Sequence, residues 1–194
     1  MKKHILSVVA ALAVCAGAQA QTSVDDFKFG FKGGYNLSNL GGDIPGHKAL
    51  SGFHVGGFAE IPVSAKFAVQ PEVLYSAQGS KSKTTIGNVD FKTDVKADFI
   101  NVPILAKYYA LEGLSVEAGP QIGFLVKAKQ GSVDVKDAFK SVDFGLAVGA
   151  SYYFTENIFA SARYNFGLTD VAKHSSDGFK MHNNVFQVAV GYRF

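Results

Sequence analysis

Six side chains capable of moving a proton gather in polar stretches of the chain: Asp43, His47, Asp170, His174, Asp177 and His182. An aspartate beside a histidine can orient the imidazole as a general base, but a nucleophile must also lie within hydrogen-bond reach of that base. None of these residues has a motif spacing, and polar loops collect such residues without purpose. The histidines do not approach H-E-x-x-H or another metal pattern. Cys15 is the only cysteine, so neither a disulfide nor a thiolate metal site can be built. The expectation is a protein that is not an enzyme and holds no metal or cofactor.

A second set of polar residues has a regular spacing. Lys32, Glu60, Glu72, Lys107, Glu117, Arg163 and Arg193 each occupy a position between apolar neighbours, as do His54, Asn101, Gln121, Asn165 and Gln187. Four bases against three acids are close to neutral, and buried charges are tolerable when paired and hydrogen-bonded. The chemistry on offer is mutual neutralisation inside a polar interior, with the charges nearer one end and the uncharged band above them.

The elements that would place these residues repeat with a period of two. In Phe27-Lys28-Phe29-Gly30-Phe31-Lys32-Gly33-Gly34-Tyr35-Asn36-Leu37, apolar residues and glycine hold the odd positions, while Lys, Gly and Asn hold the even ones. Successive strand side chains point to opposite faces, so one face is apolar and the other polar or tiny. Similar alternation covers 53–61, 67–76, 100–108, 116–126, 142–154, 158–168 and 186–194, which makes eight strands. Connections near 62–65, 110–113 and 155–157 are short. Those near 38–51, 79–96, 128–140 and 169–183 are long, polar and without a strand signal. Short turns at one end and long loops at the other are the habit of outer-membrane barrels.

A soluble barrel or sandwich also alternates, but its bulky apolar face lies within. Here the apolar face is the consistent one on every strand, and its partner carries Gly, Ala, Ser, Asn, Gln and charge. Hydrocarbon demands an apolar exterior and a closed sheet, because open edges leave backbone groups unsatisfied. Tyr108, Tyr152, Phe154, Tyr192 and Phe194 fall at the short-turn ends of strands. Tyr35, Tyr75, Phe124 and Phe166 fall toward the long connections, so two aromatic girdles are expected at the membrane interfaces. Eight strands enclose a space that side chains can fill. A polar plug is therefore the first expectation for the interior, and a narrow passive pore for small solutes is the alternative. Inward glycines at 30, 34, 56, 119, 123, 145, 149, 167 and 191 either leave room for water or let a tight sheet bend.

Composition agrees. The 194 residues include 21 Gly and 17 Phe, and the charged fraction of 18% lies below the usual quarter. A net charge of +3, with scattered Lys and Arg, gives no footprint for nucleic acid. Lys2, Lys3 and His4 precede an apolar run, Ile5–Ala18, and Ala18-Gln19-Ala20 forms an A-x-A site. This is the layout of a secretory signal peptide, residues 1–20, with the mature barrel domain at 21–194 beginning at Gln21. The apolar run is too short to span a bilayer as a helix, which takes about 20 residues. Val14 is too bulky for the position before an acylated cysteine, so Cys15 is not read as a lipid anchor.

Gly30-Phe31-Lys32-Gly33-Gly34-Tyr35-Asn36-Leu37-Ser38 resembles the G-x-K-G-G-x-N-x-S opening of the PorT-like outer-membrane β-barrel proteins of Bacteroidetes. Gln70-Pro71-Glu72-Val73-Leu74-Tyr75-Ser76, then Gln78-Gly79, resembles QPELLYSxxG, and 101–108 resembles xxxPxLxKY. Glu117-Ala118-Gly119-Pro120-Gln121-Ile122-Gly123 resembles EAGPQxG, 162–168 resembles xRYxxGL, and Tyr192-Arg193-Phe194 resembles the Tyr-x-Phe ending read by barrel-assembly machinery. The resemblance implies an eight-stranded, up-and-down antiparallel transmembrane barrel of OmpA/OmpX-type size in a Gram-negative outer membrane. It supplies no catalytic residue, and its motif charges Lys32, Glu72, Lys107, Glu117 and Arg163 are expected to be structural. The expected work is structural or adhesive, through long outer loops that meet an extracellular ligand, with an outer-membrane hydrolase or lipid-modifying enzyme as the third reading. Expected partners are outer-membrane lipid, lipopolysaccharide phosphates at Lys81, Lys83, Lys92, Lys127 and Lys129, and the assembly machinery at Phe194.

Overall fold

A computed structural model describes residues 27–40, 47–86, 89–172 and 181–194, apart from the side chains of 47 and 82–93. The expected signal peptide, Cys15 and Gln21 lie outside the described residues, as do Asp43, His174 and Asp177 and the side chains of His47, Lys83 and Lys92. The strands are β1 (Lys28–Leu40), β2 (His47–Ser64), β3 (Phe67–Ile86), β4 (Val89–Leu111), β5 (Leu114–Gln130), a two-residue β6 (Val133–Asp134), β7 (Val142–Tyr153), β8 (Ile158–Gly167) and β9 (Asn183–Arg193).

Every long strand pairs antiparallel with its neighbours in the chain, β9 returns to β1, and β4 pairs β5, so eight strands close into a barrel. Closure leaves no edge among these eight, which a hydrocarbon surrounding requires. The alternation then sorts the side chains. Phe29, Phe31, Phe53, Val55, Val73, Phe144, Val148, Val188 and Val190 stand exposed on the outer wall, while Lys32, Glu72, Lys107, Glu117 and Arg163 are buried.

One expectation is corrected. From the sequence, 38–51 and 79–96 are loops without strand structure. Instead β1 runs on to Leu40, β2 starts at His47, and β3 and β4 pair as far as Ile86↔Val89. Over 89–97 these extensions do alternate, with Val89, Phe91, Val95 and Ala97 against Asp90, Lys92, Asp94 and Lys96, a signal that a strand read only from 100 passes over. Their pairing follows from register carried up from the barrel wall. The wall is consequently uneven: β2 to β5 have 18, 20, 23 and 17 residues, against 12, 10 and 11 for β7, β8 and β9.

Lys127, expected among the surface lysines, would turn inward under strict alternation from Glu117. The register steps from Phe99↔Leu125 to Asp98↔Lys127, leaving Val126 as an extra residue on β5. This bulge turns Lys127 outward, and the lysine is exposed.

The inward glycines answer to curvature. A Cβ at Gly34 would run into the carbonyl of Val188, and one at Gly119 into that of Ile104. Neighbouring backbones approach closely at these places because the barrel is narrow, so the glycines do not leave space for water.

Candidate functional site

The lumen holds the side chains whose chemistry the sequence singles out, in layers. At the short-turn end, Glu60 on β2, Gln70 on β3, Lys107 and Tyr109 on β4, Tyr153 on β7 and Arg193 on β9 converge. Lys107 Nζ donates to Glu60 Oε2 at 2.8 Å, Gln70 Oε1 at 2.9 Å and Tyr153 OH at 2.6 Å. Arg193 and Tyr109 donate to Glu60 Oε1 at 2.7 and 2.6 Å, and the Arg193 guanidinium lies 4.3 Å from the Tyr153 ring centre. All three ammonium protons of Lys107 therefore have an acceptor, as a buried ammonium needs.

One layer further in, Arg163 on β8 reaches across the barrel to two carboxylates. Its terminal nitrogens donate to both oxygens of Glu72 at 2.8 Å each, while Nε and one terminal nitrogen donate to Glu117 Oε1 at 2.9 and 2.6 Å. A planar guanidinium suits this forked geometry, which an ammonium cannot reproduce. Lys32 adds a second cation to Glu72, 2.8 Å from Oε2. Gln70 joins the two layers, its amide nitrogen donating to Glu72 at 2.7 Å while its oxygen accepts from Lys107.

Above the charges lies an uncharged band centred on Asn36. Its amide nitrogen donates to Phe53 O, Ser76 Oγ and Ala77 O, and its oxygen accepts from Gln187 at 3.1 Å. His54 Nδ1 faces that same oxygen at 2.7 Å, so the ring hydrogen sits there. Asn165 donates to Gln187 Oε1 at 2.9 Å, and Asn101 and Gln121 are buried in the same wall. Higher still, Asp143 accepts from Thr169 Oγ1 at 2.6 Å and from Asn183 at 3.1 Å. Among the described residues, Asp143 brings the buried count to four acids against four bases, Lys32, Lys107, Arg163 and Arg193.

The far mouth is apolar. Leu40, Ala97, Phe99, Leu125, Ala128 and Val171 form a dry cluster, with Val135, Phe139 and Met181 packed on it. Two connections supply the lid of this cluster and are tied together: Lys140 N–H donates to Val171 O, Val171 N–H donates to Met181 O, and Phe139 bridges Ala172. The short-turn end also has an apolar layer, where Phe58, Tyr153 and Phe159 pack with Tyr109.

All twelve lumen residues singled out in the sequence are buried. Gln70, Tyr109, Tyr153, Asn36, Asp143 and the apolar cap were missed. Gln70 and Asn36 carried a usable signal, since both sit on the polar parity. Nothing in the alternation marks Val171, which arrives from a connection. Of the proposed proton-moving residues, Asp170 spends a carboxylate oxygen on the backbone N–H of Ala172 and Met181, at 3.1 Å each. Outside, Phe67 packs on Tyr108, Tyr152 on Phe154, and Phe31 on Tyr192 and Phe194 near the short turns. Tyr35, Phe53, Tyr75, Tyr164 and Phe166 line the opposite rim, with Phe53 against Tyr75 and Tyr164 against Phe166.

An outward apolar belt between two aromatic rims, around a polar lumen, has a counterpart among known families: the model described as outer membrane protein beta-barrel domain matches residues 18–173. The chain belongs to that family, and it is an outer-membrane protein. No curated protein matches it. Among solved structures, Neisserial surface protein A is similar at 16% identity, covering 86% of this chain and 95% of that one, with a TM-score of 0.53. Ail, the attachment invasion locus protein of Yersinia pestis, is 16% identical over 86% of this chain and 98% of its own, with a TM-score of 0.49. OprG of Pseudomonas aeruginosa is 18% identical over 86% and 95%, with a TM-score of 0.47. At such identities the likeness is one of fold alone.

Proposed function

We propose that this outer-membrane barrel is a closed scaffold that works through the strands and connections it presents at the cell surface, without conducting solutes. The observation that carries this reading is the lumen's filling: two linked ion-pair layers cross the barrel, and the dry cluster of Leu40, Phe99, Leu125 and Val171 covers the far mouth. By the habit of outer-membrane barrels the short turns face the periplasm and the long connections face outward. A structural or adhesive role at the surface fits the tall β2–β5 wall. Planar-bilayer recording of the refolded chain tests this: silence is expected, and steady single-channel steps overturn it.

A narrow passive pore is the second reading. Asn101 Nδ2 and Asn165 Oδ1 have no protein partner in the uncharged band, which favours water there. Within the family, the ordered match of six motifs supports a place among the PorT-like barrels of Bacteroidetes. The exposed ring of Phe194, whose N–H is held by Phe29 O at 2.8 Å, suits capture by the assembly machinery.

A further inference from the structure

Lysines sit directly opposite lysines along the tall wall. The register pairs Lys48 with Lys81 and Lys96 with Lys129. Like charges placed opposite each other across strands are destabilising, and two such pairs in a chain of net charge +3 are unexpected without an anion to receive them. With their neighbours they form one field. Lys48 and Lys81 head a row that continues to Asp94, and Lys96 and Lys129 head the next, flanked by Asp134. Asp98 and Lys127 form the row nearest the membrane belt. Among the described side chains, five lysines against three aspartates leave this wall cationic, and the bulge at Val126 is what turns Lys127 and Lys129 to its outer side.

The field also has a fixed height. It continues the lipid-facing surface of β3 to β5, standing directly above Tyr75, Ile100 and Phe124. Lys96 is four residues past Ile100 on β4, about 13 Å along an extended strand. The surface is therefore apolar below and cationic above, facing sideways into the leaflet. Long lysine stems can lie along the wall with their ammonium groups at headgroup level.

We propose that this wall is a binding site for a phosphate-bearing glycolipid of the outer leaflet, its acyl chains on the Ile100–Phe124 surface and its phosphates between Lys96, Lys129, Lys81 and Lys48. The proposal names the partner of the surface role proposed above and rests on the outward orientation adopted there. It does not depend on whether the lumen conducts.

Native mass spectrometry of the full refolded chain in neutral detergent, titrated with diphosphoryl lipid A, tests the site. Dephosphorylated lipid A and inositol hexakisphosphate serve as the two comparison ligands. Tight binding of the diphosphoryl lipid alone is expected. Removing two lysines in K96Q/K129Q should weaken it about thirtyfold, at about fivefold for each lysine near an anionic surface. K28Q/K66Q, at the opposite end of the barrel, should leave it unchanged. K96E should abolish binding while raising the thermal midpoint in lipid-free detergent, because it sets an acid opposite Lys129. Equal binding of the dephosphorylated lipid, indifference to K96Q/K129Q, or a fall in the K96E midpoint overturns the proposal. Preference for inositol hexakisphosphate overturns the lipid assignment in favour of a soluble polyanion. A barrel that is electrically silent but ignores lipid A loses this site only, whereas one that conducts and binds lipid A loses only the closed lumen.

Discussion

Toward the short-turn end of the lumen, Arg163 spans Glu72 and Glu117 while Lys107 and Arg193 share Glu60. At the far mouth, the described residues Leu40, Phe99, Leu125 and Val171 pack in an apolar cluster. The two regions solve the same problem, the filling of a narrow cylinder, by opposite means. The lower filling is carried entirely by strands, so each charge has a fixed height and direction and can be given a matched partner. The upper filling takes Val171 and Met181 from a connection, whose reach is less constrained, and apolar packing tolerates small errors of position that a salt bridge does not. Ion pairs therefore belong where backbone geometry is rigid, and the dry cap where it is not.

Breaking one partner of a buried pair leaves the others uncompensated, so Arg163→Ala should have the largest effect. It is expected to cost about 3–5 kcal/mol, read as a lower urea midpoint for unfolding in detergent. Glu72→Gln keeps the shape and removes the charge facing Arg163 and Lys32, so a drop of about 3 kcal/mol is expected by the same measurement, with no binding activity created or lost. In the cap, Val171→Ala removes two buried methyl groups and should cost about 1.5 kcal/mol. If the two regions are independent fillings, the Arg163→Ala and Val171→Ala losses add to within about 0.5 kcal/mol. A clear shortfall would show that cap and ion pairs fold as one unit and would dissolve the comparison.

The lower lumen was legible because each of its charges stands on a strand with an apolar partner parity. Lys32, Glu60, Lys107 and Arg163 could be assigned inward by counting from Phe31, Ala59, Ala106 and Ala162. The same count, carried past Val126, would turn Lys127 inward, because it cannot show the one extra residue that reverses the parity, and it stopped short of 89–97, where Val89, Phe91 and Val95 alternate with Asp90, Lys92 and Asp94. The cap was illegible for a different reason. Val171 follows Thr169 and Asp170 in a polar stretch, and only its bonds to Lys140 and Met181 bring it over the mouth.

What the sequence determined by itself is the sidedness of the sheet, the number of membrane strands and the membership of the lumen. A period of two is a local property, and hydrocarbon outside a closed sheet leaves one arrangement for it. Which charges share a carboxylate, how Gln70 links two layers, what covers the far mouth and which lysines stand face to face were decided by the tertiary structure. Each of those depends on the stagger between strands far apart in the chain, and stagger is set by closure, turns and bulges together.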